Sequence, residues 1–483
     1  MEIRGSRQYG WRANRQFAER QGRKNHVARH LSGYGKGILT ILSLILSMGL
    51  IYTFLPEINQ NLPDIELSGT EKDHTSAMDG KGPESLGLAA DHAGSRRLAA
   101  SELKRLISPD MFFNLGRGSV ILTEGHEQLH VKTSLDTELQ QKILAHIGKT
   151  SAPLSGIVVM DASNGEILAM AGRNSSGEAG NPCTSKLFPA ASLFKLVTAA
   201  AVIEEENITP EKKFAFNGRR HTLYRSQLRE GSNRYSNFIS LKDAFALSIN
   251  PVFGKIGIHM LGKKGLERYA AAFAFKKDMD FELPVTPSRF SLSDNEFNLA
   301  EVASGFNREI RISPLHAAMM ASAVANDGIM TRPVLIKKIY DSRGNAIYQN
   351  SYAPMQRSMA PETAAFLDEM MRETVKSGTA RKAFAGYRRD SVLSELVIGG
   401  KTGTIDSRDH DIRYDWFCGF ARERDGNRKI AVAVLTGHKK PHLDTRSSTH
   451  ARYIIKEAFR KYISRKSASR AKNRTRARST DRG

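Results

Sequence analysis

One uninterrupted apolar run, Gly37 to Leu55, constrains this chain more than any other feature. Its 19 residues carry no charge. As a helix at about 1.5 Å per residue it extends roughly 28 Å, close to the ~30 Å hydrocarbon thickness of a bilayer. Residues 1–37 hold nine Lys/Arg against two acids, whereas Glu57, Asp64, Glu66, Glu71 and Asp73 follow the run. Positive charge in front of a membrane helix keeps that end in the cytoplasm, so the rest of the chain is expected on the far side. A buried core helix does not account for the charge asymmetry. A cleaved leader is the rival reading. No A-x-A-like site follows the run and the arm before it is long, so an uncleaved single-pass anchor is expected. No second run of this length exists, which excludes a polytopic membrane protein.

Charge sharpens that division. Of the net +22, residues 1–37 carry +7 and residues 460–483 carry +9. Charge concentrated in the two tails, with a mildly basic middle, reads as a topology signal in front and a solvated disordered tail behind, rather than as a nucleic-acid surface. The apolar fraction of 40% and charged fraction of 25% suit a folded core with polar appendages and exclude a wholly disordered chain. Two cysteines exclude a disulfide-stapled scaffold and a four-cysteine zinc site. The fourteen histidines show no metal-ligand spacing.

Six segments follow: a basic cytoplasmic arm (1–36), a transmembrane helix (37–55), a flexible linker (56–95), a short N-terminal extension (96–130), a folded domain (131–463) and a basic disordered tail (464–483). Within the extension, 99–107 reads as a helix and 119–123 as a strand. Leu135, Leu139, Ile143, Leu144 and Ile147 repeat at helical spacing. Gly156–Met160 and Glu166–Ala171 are strand-length apolar runs, and Asn164-Gly165 between them marks a hairpin. Residues 190–330 read as mainly helical. Leu396–Thr404, Trp416–Ala421 and Ile430–Thr436 read as three late strands, and Ser447–Tyr462 as a closing helix. Early strands, a helical middle and late strands predict one α/β unit whose sheet pairs segments distant in sequence, with helices on both faces.

Three short motifs carry chemistry. Ser192-Leu193-Phe194-Lys195 opens an apolar helix, which puts Ser192 at a helix N-terminus and Lys195 on the same face. A serine beside a desolvated lysine is a workable nucleophile and base; a capping serine with a solvated lysine is the alternative. Ser101-Glu102-Leu103-Lys104 has the same form. Ser248-Ile249-Asn250 supplies a second hydroxyl and an amide, and Ser293-Asp294-Asn295 also fits that pattern. Lys401-Thr402-Gly403-Thr404 follows the apolar run Leu396-Val397-Ile398. Gly403, with Gly399 and Gly400, admits a close neighbour, Lys401 supplies a cation, and the Thr402 and Thr404 hydroxyls suit a carboxylate. Lys376-Ser377-Gly378-Thr379 is similar but lacks a preceding β-rich run.

The ordered trio of S-x-x-K, S-x-N and K-T-G resembles the transpeptidase domain of penicillin-binding proteins. The resemblance covers about residues 130–460. It extends to Thr133–Gln140, Val159–Met170 and Asp415-Trp416-Phe417, and its spacing selects Ser248 over Ser293. Two departures stand out. Pro189-Ala190-Ala191 replaces the more frequent Pro-Gly before the serine, and the Gly-rich stretch ahead of a Thr-Pro reads Ser304-Gly305-Phe306-Asn307, then Ser313-Pro314.

The resemblance implies a β-lactamase/transpeptidase-like α/β (α+β) fold: a five-stranded antiparallel sheet flanked by helices, plus an all-helical subdomain. It implies a peptidoglycan D,D-transpeptidase acting on stem peptides ending in D-Ala-D-Ala and acylated by β-lactams, with no cofactor or metal. Ser192 is then the nucleophile and Lys195 its base. Ser248 relays a proton, Asn250 holds Lys195 and a substrate amide, and the backbone N–H groups of Ser192 and Thr404 receive the oxyanion. Lys401, Thr402, Gly403 and Thr404 bind the terminal carboxylate. Only Pro56 to about Val131 separates anchor from domain, too little for a glycosyltransferase domain, so a separate glycosyltransferase partner in a cell-wall complex is expected. Alternatives are a D,D-carboxypeptidase or β-lactamase, and a non-catalytic β-lactam sensor or scaffold. Cys183 and Cys418 are read as unpaired, partly buried thiols, with a disulfide left open.

Overall fold

The structure, a computed structural model, describes residues 97–175, 180–440 and 445–480. The expected cytoplasmic arm, membrane helix and linker lie outside the described residues. Among the described residues no helix is long and apolar enough to cross a membrane.

Helix α1 (Ala100–Leu106) precedes a hairpin of β1 (Ser119–Glu124) and β2 (Glu127–Thr133). Helix α2 (Thr137–Gly148) starts at Asp136, whose carboxylate accepts from the Leu139 N–H, and β3 (Leu154–Asp161) and β4 (Ile167–Asn174) follow. Strand β5 (Phe188–Pro189) leads through a 3₁₀ turn (Ala191–Phe194) into α3 (Lys195–Glu205). The middle supplies β6 (Lys213–Phe216), β7 (Asn237–Ser240), α4 (Leu241–Ala246), α5 (Asn250–Ile256) and α6 (Gly262–Ala272). It continues with α7 (Glu296–Ser304), β8 (Arg311–Ile312), α8 (Pro314–Ala325) and β9 (Ile329–Thr331). Then come β10 (Ile336–Tyr340), β11 (Ala346–Gln349), β12 (Pro354–Arg357) and α9 (Pro361–Lys376). The chain ends in β13 (Leu396–Asp406), β14 (Ile412–Glu423), β15 (Lys429–Lys439) and α10 (Ser447–Thr480).

The central sheet is antiparallel, five-stranded and ordered β13-β14-β15-β3-β4. Its strands are buried on both faces, and the two-residue period divides the side chains between two cores. In β15, Ile430, Val432 and Val434 join the cluster that includes Ile143, Ile454 and Phe459 of α2 and α10. Ala431, Ala433 and Leu435 face the larger cluster with α3 and α8. Helices therefore cover both faces, as the pattern predicts.

Two expectations are corrected. The helical middle is not all-helical: β6 pairs with β7 and β5 with β8. These strands have two to four residues, too few to show an alternation against the helical background. A second sheet, β1-β2-β10-β11, joins the N-terminal extension to strands about 200 residues later. The closing helix does not stop near Tyr462 but runs to Thr480. Residues 463–480 contain no Gly or Pro and are rich in Ala, Arg and Lys, which are good helix formers, so the basic tail continues the helix through Thr480.

Candidate active site

The nucleophile turn sits where β5, α3 and the edge strand β13 meet. Pro189 accepts a hydrogen bond from the buried Trp416 indole (3.0 Å), which ties the turn to β14. Ala191 adopts φ +48°. A left-handed non-glycine residue costs about 1–2 kcal/mol, so the missing glycine of the Pro-Ala-Ala departure has a conformational cost, and Ser192 is projected at the start of the 3₁₀ turn.

Lys195 is fully buried, and its Nζ lies 2.9 Å from Ser192 Oγ. The same amine donates to Asn250 Oδ1 (2.8 Å) and to the Ser304 carbonyl (2.5 Å). A neutral amine has two N–H groups and one lone pair. With both N–H groups engaged, the lone pair is left for the serine hydroxyl. Burial, then the charge of Lys401, hold Lys195 well below the usual lysine range.

Ser248 comes from the end of α4. Its N–H bonds the Phe245 carbonyl and the Ile249 N–H bonds the Ala244 carbonyl, a Schellman turn with Ser248 at the left-handed position, φ +57°. Here too a functional side chain occupies a position that favours glycine. Lys401, also fully buried, donates to Ser248 Oγ (2.9 Å) and to the Thr402 carbonyl (2.9 Å). Burial brings its pKa down to about 7. The ring of Phe245 sits under Lys401 Nζ at 5.5 Å and that of Phe253 under Lys195 Nζ at 5.4 Å.

Thus hydrogen bonds join Ser192, Lys195 and Asn250 in one set and Ser248 and Lys401 in a second, and the S-x-N segment, which contributes to both, brings the three motifs into one site. Thr402 and Gly403 lie beside it on β13: Gly403 packs against Ala190 and Ala191, with an added Cβ only 3.3 Å from Ala191 Cβ. At Gly399 and Gly400 the close neighbours are the rings of Phe420 and Phe417 rather than another backbone. Thr404 is tied to the neighbouring strand β14. Its hydroxyl donates to the buried Asp415 (2.9 Å), which also anchors the Ser447 N–H of α10.

The look-alike motifs separate in space. Ser101 and Lys104 belong to α1, and Asn295 caps α7. The Lys376–Thr379 segment, in contrast, borders the site. The Thr379 N–H bonds the Ala246 carbonyl, and its hydroxyl lies 2.5 Å from that of Thr402. Sequence reasoning set it aside for lack of a preceding strand, and it also left Ser304 without a role. His221 was likewise missed: its Nδ1 lies 3.3 Å from the Ser248 carbonyl, and its own carbonyl accepts from Asn250 Nδ2. Only the S-G-T pattern itself could have signalled Thr379; backbone acceptors leave no sequence signal. The two cysteines are free and fully buried, their thiols directed at the carbonyls of Ala171 and Ala317. Among the described residues no cluster could hold a metal ion.

Residues 155–460 match the family described as penicillin binding protein transpeptidase domain. The chain is 27% identical over 273 residues to the peptidoglycan D,D-transpeptidase PbpA of Mycolicibacterium smegmatis, covering 53% of this chain and 51% of that protein. It is 27% identical over 342 residues to penicillin-binding protein PbpB of the same organism, covering 64% and 50%. The chain thus spans about half the length of these curated relatives. The fold is shared with the penicillin G acyl-enzyme complex of penicillin-binding protein A from M. tuberculosis, at TM-score 0.55 and 22% identity, over 68% of this chain and 80% of that one. With more than half its length matched by the family and the three motifs brought into hydrogen-bond contact, the chain belongs to the penicillin-binding protein transpeptidase family.

Proposed function

We propose that the protein is a membrane-anchored peptidoglycan D,D-transpeptidase working through an acyl-enzyme on Ser192. The observation that carries this reading is the buried Lys195 amine, 2.9 Å from Ser192 Oγ with both N–H groups taken by Asn250 and Ser304.

Ser192 Oγ attacks the penultimate D-Ala carbonyl of a stem peptide and gives its proton to Lys195. The oxyanion is received by the backbone N–H groups of Ser192 and Thr404, each such donor being worth roughly 10²–10³ in rate. The C–N bond then breaks and the terminal D-Ala leaves with a proton relayed through Ser248. Lys401 and Thr402 hold the terminal carboxylate, and its arrival restores charge to Lys401, whose cation is otherwise disfavoured by burial. A peptide amine attacks the ester, and Ser192 recovers its proton. β-Lactams take the same path as far as the acyl-enzyme. The run Gly37–Leu55 supports a single-pass anchor with the domain on the outer side of the cytoplasmic membrane, where a glycosyltransferase would supply the glycan strands.

The test is product analysis. The purified full chain, given a D-Ala-D-Ala-terminated peptide and an amine acceptor, is expected to release D-Ala in step with a cross-linked product. D-Ala release with water as the only acceptor would instead identify a carboxypeptidase.

A further inference from the structure

The far end of β13 borders a cavity of about 480 Å³ that the mechanism above does not use. Its volume lies in the range of small-ligand sites. Arg289, Arg308, Arg311 and Arg408 line it, with Ser407 and Tyr414, against two acids, Glu309 and Asp409. Two of the arginines are already engaged: Arg408 pairs with Glu309, and Arg308 Nε donates to the Asp406 carbonyl (2.8 Å). The other two meet across a backbone bridge between Arg289 and Arg311. Arg311 Nε is buried without a hydrogen-bond partner. A buried guanidinium donor left open, in a wall with surplus positive charge, calls for an anionic oxygen.

Position says which anion. Arg311 pairs in register with Pro189, three residues before Ser192, and Tyr414 pairs with Ile405 on β13. The cavity therefore lies on the nucleophile side of the sheet edge, beyond Thr404 and away from Lys401. A peptide with its terminal carboxylate at Lys401 and Thr402, lying antiparallel to β13, runs its N-terminal part toward Ser407. From Thr404 to Ser407 is about 10 Å, the reach of about three extended residues. Resting on the reading of Ser192 as the acylated nucleophile, we propose that this cavity is a carboxylate-binding subsite for the donor peptide. It would take a carboxylate carried one or two residues before the D-Ala-D-Ala.

Three donor peptides test this with the full chain: one bearing carboxylates at both upstream positions, and two with either carboxylate converted to its amide. Wild-type kcat/KM for D-Ala release is expected to fall roughly tenfold on amidation at one position, which identifies the residue that enters the cavity. Arg289→Gln/Arg311→Gln is expected to bring that ratio to about one. Because the ratio compares two peptides on the same protein, general damage to the variant cannot imitate the result. A wild-type ratio of one at both positions, or an unchanged ratio in the variant, overturns the subsite. Absence of both D-Ala release and penicillin labelling in the wild type would instead overturn the parent reading.

Discussion

Lys195→Met is expected to slow acylation by penicillin at least about 10³-fold, within the 10²–10⁴ range of a positioned general base. Methionine preserves much of the buried volume but removes the lone pair that faces Ser192. The pH profile of the wild type carries the same argument. Lys195 must be neutral, so acylation falls as pH drops through its depressed pKa. Lys401 must be charged to hold the carboxylate, so kcat/KM falls as pH rises through about 7 in the free protein. The two limbs belong to a coupled pair of amines. Lys401→Arg, which keeps its charge at all accessible pH, is expected to remove the basic limb and leave the acid one. Measured acylation rates between pH 5 and about 10 decide the matter; a flat profile would contradict the roles given to both lysines.

The second large effect is expected from Gly305→Ala. Gly305 has φ +67°, and an added Cβ would lie 2.0 Å from the Ala191 carbonyl oxygen and 3.1 Å from the Ser192 nitrogen. The left-handed alanine costs about 1–2 kcal/mol, and the clash falls on the turn that aims the nucleophile. A misplacement of about 1 Å costs roughly 10²-fold in rate, so acylation is expected to drop by that factor or more. Gly344→Ala is the control: its φ is +86° and nothing lies within 4 Å of the added Cβ. It is expected to lose only the left-handed cost, about 1–2 kcal/mol, while acylating at the wild-type rate. Equal acylation by both variants would remove the link between Gly305 and the nucleophile turn.

These two glycines mark the boundary of what the sequence discloses. Ser192, Lys195, Ser248, Asn250 and Lys401 were legible because their chemistry resides in side chains at fixed short spacings. The five central strands were legible, in outline, because burial on both faces makes their apolar runs dense. The Ser304 carbonyl was not, since any residue supplies a carbonyl and only the fold brings this one to Lys195. Thr379 was hidden because its importance comes from α4 packing against the start of its loop, through Ala246. The hydrogen bond of the Thr404 hydroxyl was hidden for a related reason: cross-strand register sets Asp415 opposite it. The arginine cavity draws on four separated segments, none of which forms a motif by itself. The joining of β2 to β10 depends on pairing across about 200 residues, which local pattern does not encode.

The central claim is that Ser192 is the nucleophile, activated by Lys195. Its most direct test is to incubate the purified full chain with penicillin, digest it, and locate the covalent adduct by mass spectrometry. One intact penicillin on the peptide containing Ser192, absent from Ser192→Ala but retained in Ser101→Ala, is the predicted result. An adduct on any other residue, or undiminished labelling of Ser192→Ala, would contradict the account.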